Sequence, residues 1–317
     1  QKYQSVWVDI FVPQNTKAGK YKGTITVQAN ELQKQASIVV ELEVYPFALP
    51  SEITWTVELN TYASSTLGPE HLCGFDVEKE YGRYLTTERR YYQLAHQHRT
   101  TMNVLPFNQY GQVGYNFAPE LSGEGRGVKI SSWKEWEKRF GQYLNGKAFT
   151  RTHGYNGPGE GVPVNFMYLP FHENWPLPVE SHFGDRAEIK DRFDLAEWSK
   201  TSRPLEVAFD EDYKLGFVSA VSQAFKHFES KGYTKTNFQF YFNNKHYWKC
   251  SFFGMAGSRK NGSSYWLLDE PVDYDDYAAV RFFLDLGKQG YEKAGAGKIK
   301  VQYRTDVSQP EMTRGLW

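Results

Sequence analysis

Cysteine is nearly missing: Cys73 and Cys250 are the only two among 317 residues. Thiols so far apart form no metal knuckle, and sequence alone leaves a disulfide between them undecided. Net charge is missing as well. Lys plus Arg and Asp plus Glu number 37 each, without the basic surplus that neutralises nucleic-acid phosphates. No apolar run approaches the length of a membrane helix. No glycine-rich phosphate loop follows a strand-like segment, which removes the usual signature of nucleotide binding. No short-period repeat appears and no signal peptide is visible, which carries little weight in a chain read as a fragment or processed form. Gln1 leads almost directly into QSVWVDIFV and the chain stops at PEMTRGLW. Both ends therefore read as cuts inside a longer protein.

Aromatic residues are plentiful, at 17 % of the chain, with 22 Tyr, 22 Phe and 9 Trp. Tyr and Trp combine a wide apolar face with a polar edge, which suits a sugar-binding cleft. A large core accounts for most of this content equally well.

Two kinds of pattern divide the chain. Residues 1–50 read as antiparallel β structure: SVWVDIFVP alternates, KAGKYKGTITVQA follows a turn, and QASIVVELEVYPF is a β-branched run. That is too little for a complete sandwich of about seven strands, so this segment reads as the C-terminal part of one. Leu49-Pro50-Ser51 marks the boundary. Residues 51–317 alternate strands with amphipathic helices. ITWTVELNTY, TMNVLPF, NFMYLPF, NFQFYF, SYWLLDEP and KIKVQYRTDV are six strand candidates. Long helices are expected over FDVEKEYGRYLTTERRYYQLAHQH, SSWKEWEKRFGQYLNG (with Ser132 as N-cap), DEDYKLGFVSAVSQAFKHFESKGY and DYDDYAAVRFFLDLGKQGYEKAG. Repeated βα units imply an α/β fold with a parallel sheet. The leading expectation is a (β/α)8 TIM-like barrel truncated after about six strands; an open doubly wound sheet is the rival.

Ligands of such folds gather at the C-terminal ends of the strands, and polar residues recur there. They are Glu58, Asn60 and Tyr62; His172, Glu173, Asn174 and Trp175; Asn243, Asn244, Lys245, His246 and Trp248; Asp269 and Glu270; and Arg304 and Asp306. Amides and acids bond hydroxyls while indoles cover sugar faces, so these sets form a carbohydrate-binding kit. Plainer readings stand beside it. His172 and His246 lack metal-ligand spacing and serve more simply as hydrogen-bonding loop residues. Asn243-Asn244 fits a turn, and Trp175 among prolines fits a packing plug. His96 and His98 at a helix end read as solvated or as favourable to the helix dipole, and the acids of DYDDY as favouring the next helix's N-terminus. No metal and no cofactor is expected.

Asp269-Glu270 in YWLLDEP is the sharpest feature. Its plain reading is an exposed turn. Against it, WLL has a buried-strand signature, and Pro271 has no N–H and restricts the residue before it to extended backbone. At a strand's lip the alternation breaks, so both acids can reach one cleft. Paired carboxylates are the working parts of glycoside hydrolysis, one of them carrying a proton.

AGKYKGTITV, the LPS boundary, NNK after a strand, LLDEP and YRTDVSQPE together resemble glycoside hydrolase family 123 and the related DUF4091-type catalytic domains, over most of the chain. LLDEP is the most specific of these. The resemblance implies a β-sandwich followed by a barrel that acts, with retention, on β-linked N-acetylgalactosamine. It also implies substrate assistance: Asp269 would orient the 2-acetamido group, whose oxygen attacks the anomeric carbon. Glu270 would protonate the leaving oxygen and then activate water. The implied partner is a glycan, in a secreted or periplasmic setting. Two alternatives stay open: a carbohydrate-binding protein on a hydrolase-like scaffold, and a glycosidase of non-acetamido sugars pairing Glu270 with Glu58 or Glu173.

Overall fold

The structure is a computed structural model describing residues 5–28, 35–55, 57–62, 76, 78–108, 113–183, 204–242, 266–271 and 274–307. Asn243, Asn244, Lys245, His246 and Trp248 lie outside the described residues.

The first sheet is a hairpin of β1 (Gly19–Val27) and β2 (Ala36–Val44), antiparallel, with Gly19 opposite Val44. Residues 5–18, expected to add a strand, carry none. An extended segment needs a neighbour for its N–H and C=O groups, and none lies alongside among the described residues. Val6, Trp7, Ile10 and Phe11 are accordingly exposed.

Beyond residue 51 the chain is mixed helix and sheet. β3 (Glu58–Tyr62) pairs in parallel with β4 (Thr101–Leu105), connected through α1 (Tyr81–Gln97). A short antiparallel hairpin, β5 (Glu120–Ser122) and β6 (Lys129–Ser132), fills the glycine-rich stretch. The helix expected from Ser132 starts later, because β6 runs through that residue. α2 comprises Lys134–Trp136, a π turn over Glu137–Gly141 and Gln142–Leu144. Ser132 still accepts the Lys134 N–H through its hydroxyl, at 3.3 Å.

β7 (Phe166–Tyr168), β8 (Asn237–Tyr241) and β9 (Lys300–Arg304) form a parallel three-stranded sheet. α3 (Glu211–Lys231) precedes β8 and α4 (Tyr274–Ala294) precedes β9. α3 begins at Asp210, whose carboxylate accepts the Tyr213 N–H, and ends at Gly232, whose left-handed φ of 72° suits a residue without a Cβ. Both helices pack on the apolar face of β8. Phe228 stacks on Phe238 at 4.2 Å, and Gly287 of α4 lies so close to Phe240 that a Cβ would stand 3.0 Å from its ring.

The fifth strand candidate, SYWLLDEP, does not form one over its described residues. Residues 266–271 are not a strand, and β9 takes the place beside β8. The Leu267 N–H bonds the side chain of buried Asp276 at 2.9 Å instead of a neighbouring strand. The described strands form small sheets and close no barrel.

They are nevertheless curved. β7 lies against β4, with the Tyr168 N–H donating to the Asn103 side chain at 2.9 Å. The sequence β3–β4–β7–β8–β9 would set its outer strands roughly 19 Å apart if flat. Yet Arg304 of β9 contacts Glu58 of β3 at 3.3 Å, and Gln239 of β8 reaches the same carboxylate at 2.8 Å. Only a wall bent towards its polar face brings these groups together.

Candidate active site

Side chains alternate along a strand and share a face with their partners across a parallel ladder. Gln239 and Tyr241 of β8 therefore face the same way as Tyr168 of β7 and as Gln302 and Arg304 of β9, with which they are in register. Asn60 and Asn103 are likewise in register on β3 and β4. This face is polar and tied together by hydrogen bonds. Asn103 donates to Gln239 at 2.7 Å and to Glu58 at 3.2 Å, and Gln239 donates to Gln302 at 3.2 Å.

Two clusters stand on this face, one around Glu58, which opens β3 rather than ending it, and one at the C-terminal ends of β8 and β9. In one, Glu58 accepts from Arg304, Gln239 and Asn103, while Arg304 also donates to the Tyr168 hydroxyl in a short contact. Asn60 lies at 3.5 Å from that same hydroxyl. In the other, Tyr241 stands between two carboxylates. Its hydroxyl is 3.0 Å from Oδ1 of Asp269 and 2.7 Å from Oδ2 of Asp306. Arg304 joins the clusters: it bonds Asp306 at 3.3 Å, and its guanidinium lies over the Tyr241 ring at 4.6 Å.

The electrostatics follow from this crowding. Burial, then the charge of Asp269 and the Asp306 hydrogen bond, hold the Tyr241 phenol far above its ordinary value, so it stays protonated. Burial pushes the Tyr168 phenol up to about 12 against the opposing pull of Asn60 and Arg304. Burial alone would lower Arg304; Tyr168 and Asp306 outweigh it and raise the guanidinium.

The adjacent acids are treated differently by the fold. Asp269 is 2 % exposed, whereas Glu270 faces solvent. Glu270 does not have the extended backbone expected ahead of Pro271; its φ is +56°, in the left-handed region that L-residues seldom occupy. The chain turns sharply there because Leu267 is already tied to Asp276 and α4 starts at Tyr274.

The other expected residues divide. Tyr62 ends β3. His172 and Glu173 are buried, and the Nδ1 of His172 accepts the Asn174 N–H at 3.1 Å. His172 packs against Phe107 at 4.7 Å, and Phe107 clusters with Tyr168 and Tyr241, which puts the imidazole next to the site rather than in its hydrogen-bond network. Asn174 accepts the Val179 N–H at 3.0 Å, which ties down the turn Val179–His182. Trp175 packs edge-on against Phe171 at 5.0 Å, as a packing plug does. Tyr241, Tyr168, Gln239, Asn103 and Asp276 were not anticipated. The signal for the first four is the polar alternation inside the strands, which the strand ends alone do not show. Among the described residues no group of three or more His, Cys, Asp or Glu could hold a metal, and no helix is long and apolar enough to cross a membrane.

Residues 1–29 match the sequence profile of the Glycoside hydrolase 123 N-terminal domain. No curated protein and no solved structure matches the chain. The profile match covers the start of the chain only and is separate in sequence from the Asp269 site.

Proposed function

We propose that the chain is a retaining glycoside hydrolase that cleaves β-linked N-acetylgalactosamine-type sugars with help from the substrate's own 2-acetamido group. One observation carries the reading: a buried Asp269 beside an exposed Glu270, where the curved polar face presents Glu58, Asn60, Arg304 and Asp306. The similarity of residues 1–29 to a glycoside hydrolase 123 domain supports the same class of chemistry.

Asp269, held in place on the protein side, would accept the acetamido N–H and orient the group. The acetamido oxygen then bonds to the anomeric carbon as the glycosidic C–O bond breaks, and Glu270 gives its proton to the leaving oxygen. Water, deprotonated by Glu270, attacks the same carbon and reopens the oxazoline ring, so two inversions yield retention. Glu58, Asn60 and Arg304 would bond sugar hydroxyls. In this reading residues 1–50 belong to a β-sandwich, residues 51–317 to a barrel-type catalytic domain, and the enzyme works on glycans in a secreted or periplasmic setting.

The test compares an aryl β-N-acetylgalactosaminide with the matching β-galactoside, using wild type and Glu270→Gln. The expected result is turnover of the acetamido substrate only, lost in the variant. Equal cleavage of both substrates would remove substrate assistance and point to a protein nucleophile. Glycan binding without turnover would turn the reading to a carbohydrate-binding protein.

A further inference from the structure

We propose that Tyr241 is the positioning residue of this site: its hydroxyl sets the orientation of the Asp269 carboxylate and is itself braced by Asp306 and Arg304. The inference rests on the glycosidase reading above and deepens it.

A phenol has one O–H proton and prefers to keep it near the ring plane, which leaves two main orientations. Two carboxylate oxygens stand at hydrogen-bond distance, Asp269 Oδ1 at 3.0 Å and Asp306 Oδ2 at 2.7 Å. The single proton serves one of them at a time. Asp306 has a cation of its own, since Arg304 Nε bonds its other oxygen at 3.3 Å. That pairing lets the hydroxyl turn to Asp269 without leaving Asp306 uncompensated. Arg304 also lies over the Tyr241 ring and so fixes the ring from above. The Tyr241 side chain is 2 % exposed, which keeps water from competing for the proton.

The consequence is geometric. A carboxylate that must meet an amide N–H needs a defined plane, and a hydrogen bond to one of its oxygens narrows the planes open to it. The tie at Oδ1 bears on that plane and hence on the direction of Oδ2. A group that acts by orienting another contributes to turnover, and its loss shows in kcat more than in KM.

Tyr241→Phe deletes the oxygen and keeps the ring. On the aryl β-N-acetylgalactosaminide its kcat is expected to fall about ten- to a hundredfold, the size of one hydrogen bond to a charged group, with KM within about twofold. The decisive readout is the double variant Tyr241→Phe/Asp269→Asn. If Tyr241 acts through Asp269, the double variant is no slower than Asp269→Asn alone; a purely structural role would add its own loss. A wild-type kcat in Tyr241→Phe, or a fully additive double variant, overturns the proposal. Should Tyr241→Phe fail to fold by thermal melting, Asp306→Asn is combined with Asp269→Asn and read by the same criterion. Absence of wild-type turnover overturns the glycosidase reading beneath, an outcome distinct from failure of the Tyr241 assignment.

Discussion

Acidification should loosen this fold through one histidine. His96, near the end of α1, is 6 % exposed and stacks on Phe149 at 4.0 Å. Its Nε2 lies 3.1 Å from the Val162 carbonyl, which can only accept, so Nε2 carries the proton. Nδ1, 2.6 Å from the Tyr155 hydroxyl, is then the acceptor, and the single proton of that hydroxyl serves either Nδ1 or the Pro158 carbonyl. Burial lowers the pKa from 6.5 to about 4, with Arg99 adding to the effect and the Val162 carbonyl opposing it. For a base whose folded-state pKa is depressed, the unfolded chain binds the proton first. The native state is therefore favoured in full above pH 6.5, and that advantage is lost as pH falls towards 4. The shift corresponds to a loss of about 2 kcal/mol by pH 5 and on the order of 3 kcal/mol below pH 4. Urea unfolding at pH 7.5 and pH 5.0 measures it. His96→Gln keeps a donor for Val162 but cannot titrate, so its stability should change with pH by about 2 kcal/mol less than wild type over that interval. Identical pH dependence in both proteins would refute the reasoning, because every other titrating group is common to them.

Two further predictions concern buried charge and the anchor of the acidic segment. Glu88 and Arg139 are both fully buried and paired at 2.6 and 3.1 Å, so Arg139→Met strands a carboxylate and should cost about 3–5 kcal/mol in urea unfolding. Adding Glu88→Leu should recover much of that loss. Asp276→Ala removes the acceptor of the Leu267 N–H and should cost about 1–3 kcal/mol. In the same variant, glycoside turnover should fall, while Asp276→Asn, which retains an acceptor, should keep most of both.

Much of the chain was legible because local pattern and tertiary demand agree. The 3.6-residue periodicity of FDVEKEYGRYLTTERRYYQLAHQH and DEDYKLGFVSAVSQAFKHFESKGY became α1 and α3, with α1 starting at Tyr81 and α3 shortened by one or two residues at each end. TMNVL, FMY and NFQFY became β4, β7 and β8. The failures share a cause, which is competition from residues distant in sequence. SYWLLDEP has strand composition, but the place beside β8 is taken by β9 and Asp276 claims the Leu267 amide. His96 looked like a solvated helix end; Tyr155 and Val162, 59 and 66 residues away, enclose it. Asp276 does lie in the first turn of α4, as a charge suited to a helix N-terminus, but its full burial and its bond to Leu267 depend on the segment before it. At the candidate site, Asp269, Glu58, Arg304 and Asp306 were named from strand ends alone. Tyr241 was not, because a tyrosine in an aromatic strand reads as core until its hydroxyl is seen between two acids.

The polar face explains why the wall bends. Parallel strands covered on both sides ordinarily read as unbroken apolar runs. Here ELNTY, TMNVL, NFQFY and KVQYR interrupt those runs with Glu58, Asn60, Asn103, Gln239, Gln302 and Arg304. A buried amide or charge without a partner costs more than a hydrogen bond gains. The partners come from other strands: Asn103 of β4 meets Gln239 of β8, and Glu58 of β3 meets Arg304 of β9. In a flat sheet these groups stand too far apart to touch, so curvature is the conformation that satisfies them. The same curvature gathers Arg304, Asp306, Tyr241 and Asp269 at one end of the face. Replacing Glu58 by an apolar residue should therefore disturb both the bend and the setting of Asp269, even though no hydrogen bond links Glu58 to Asp269 directly among the described residues.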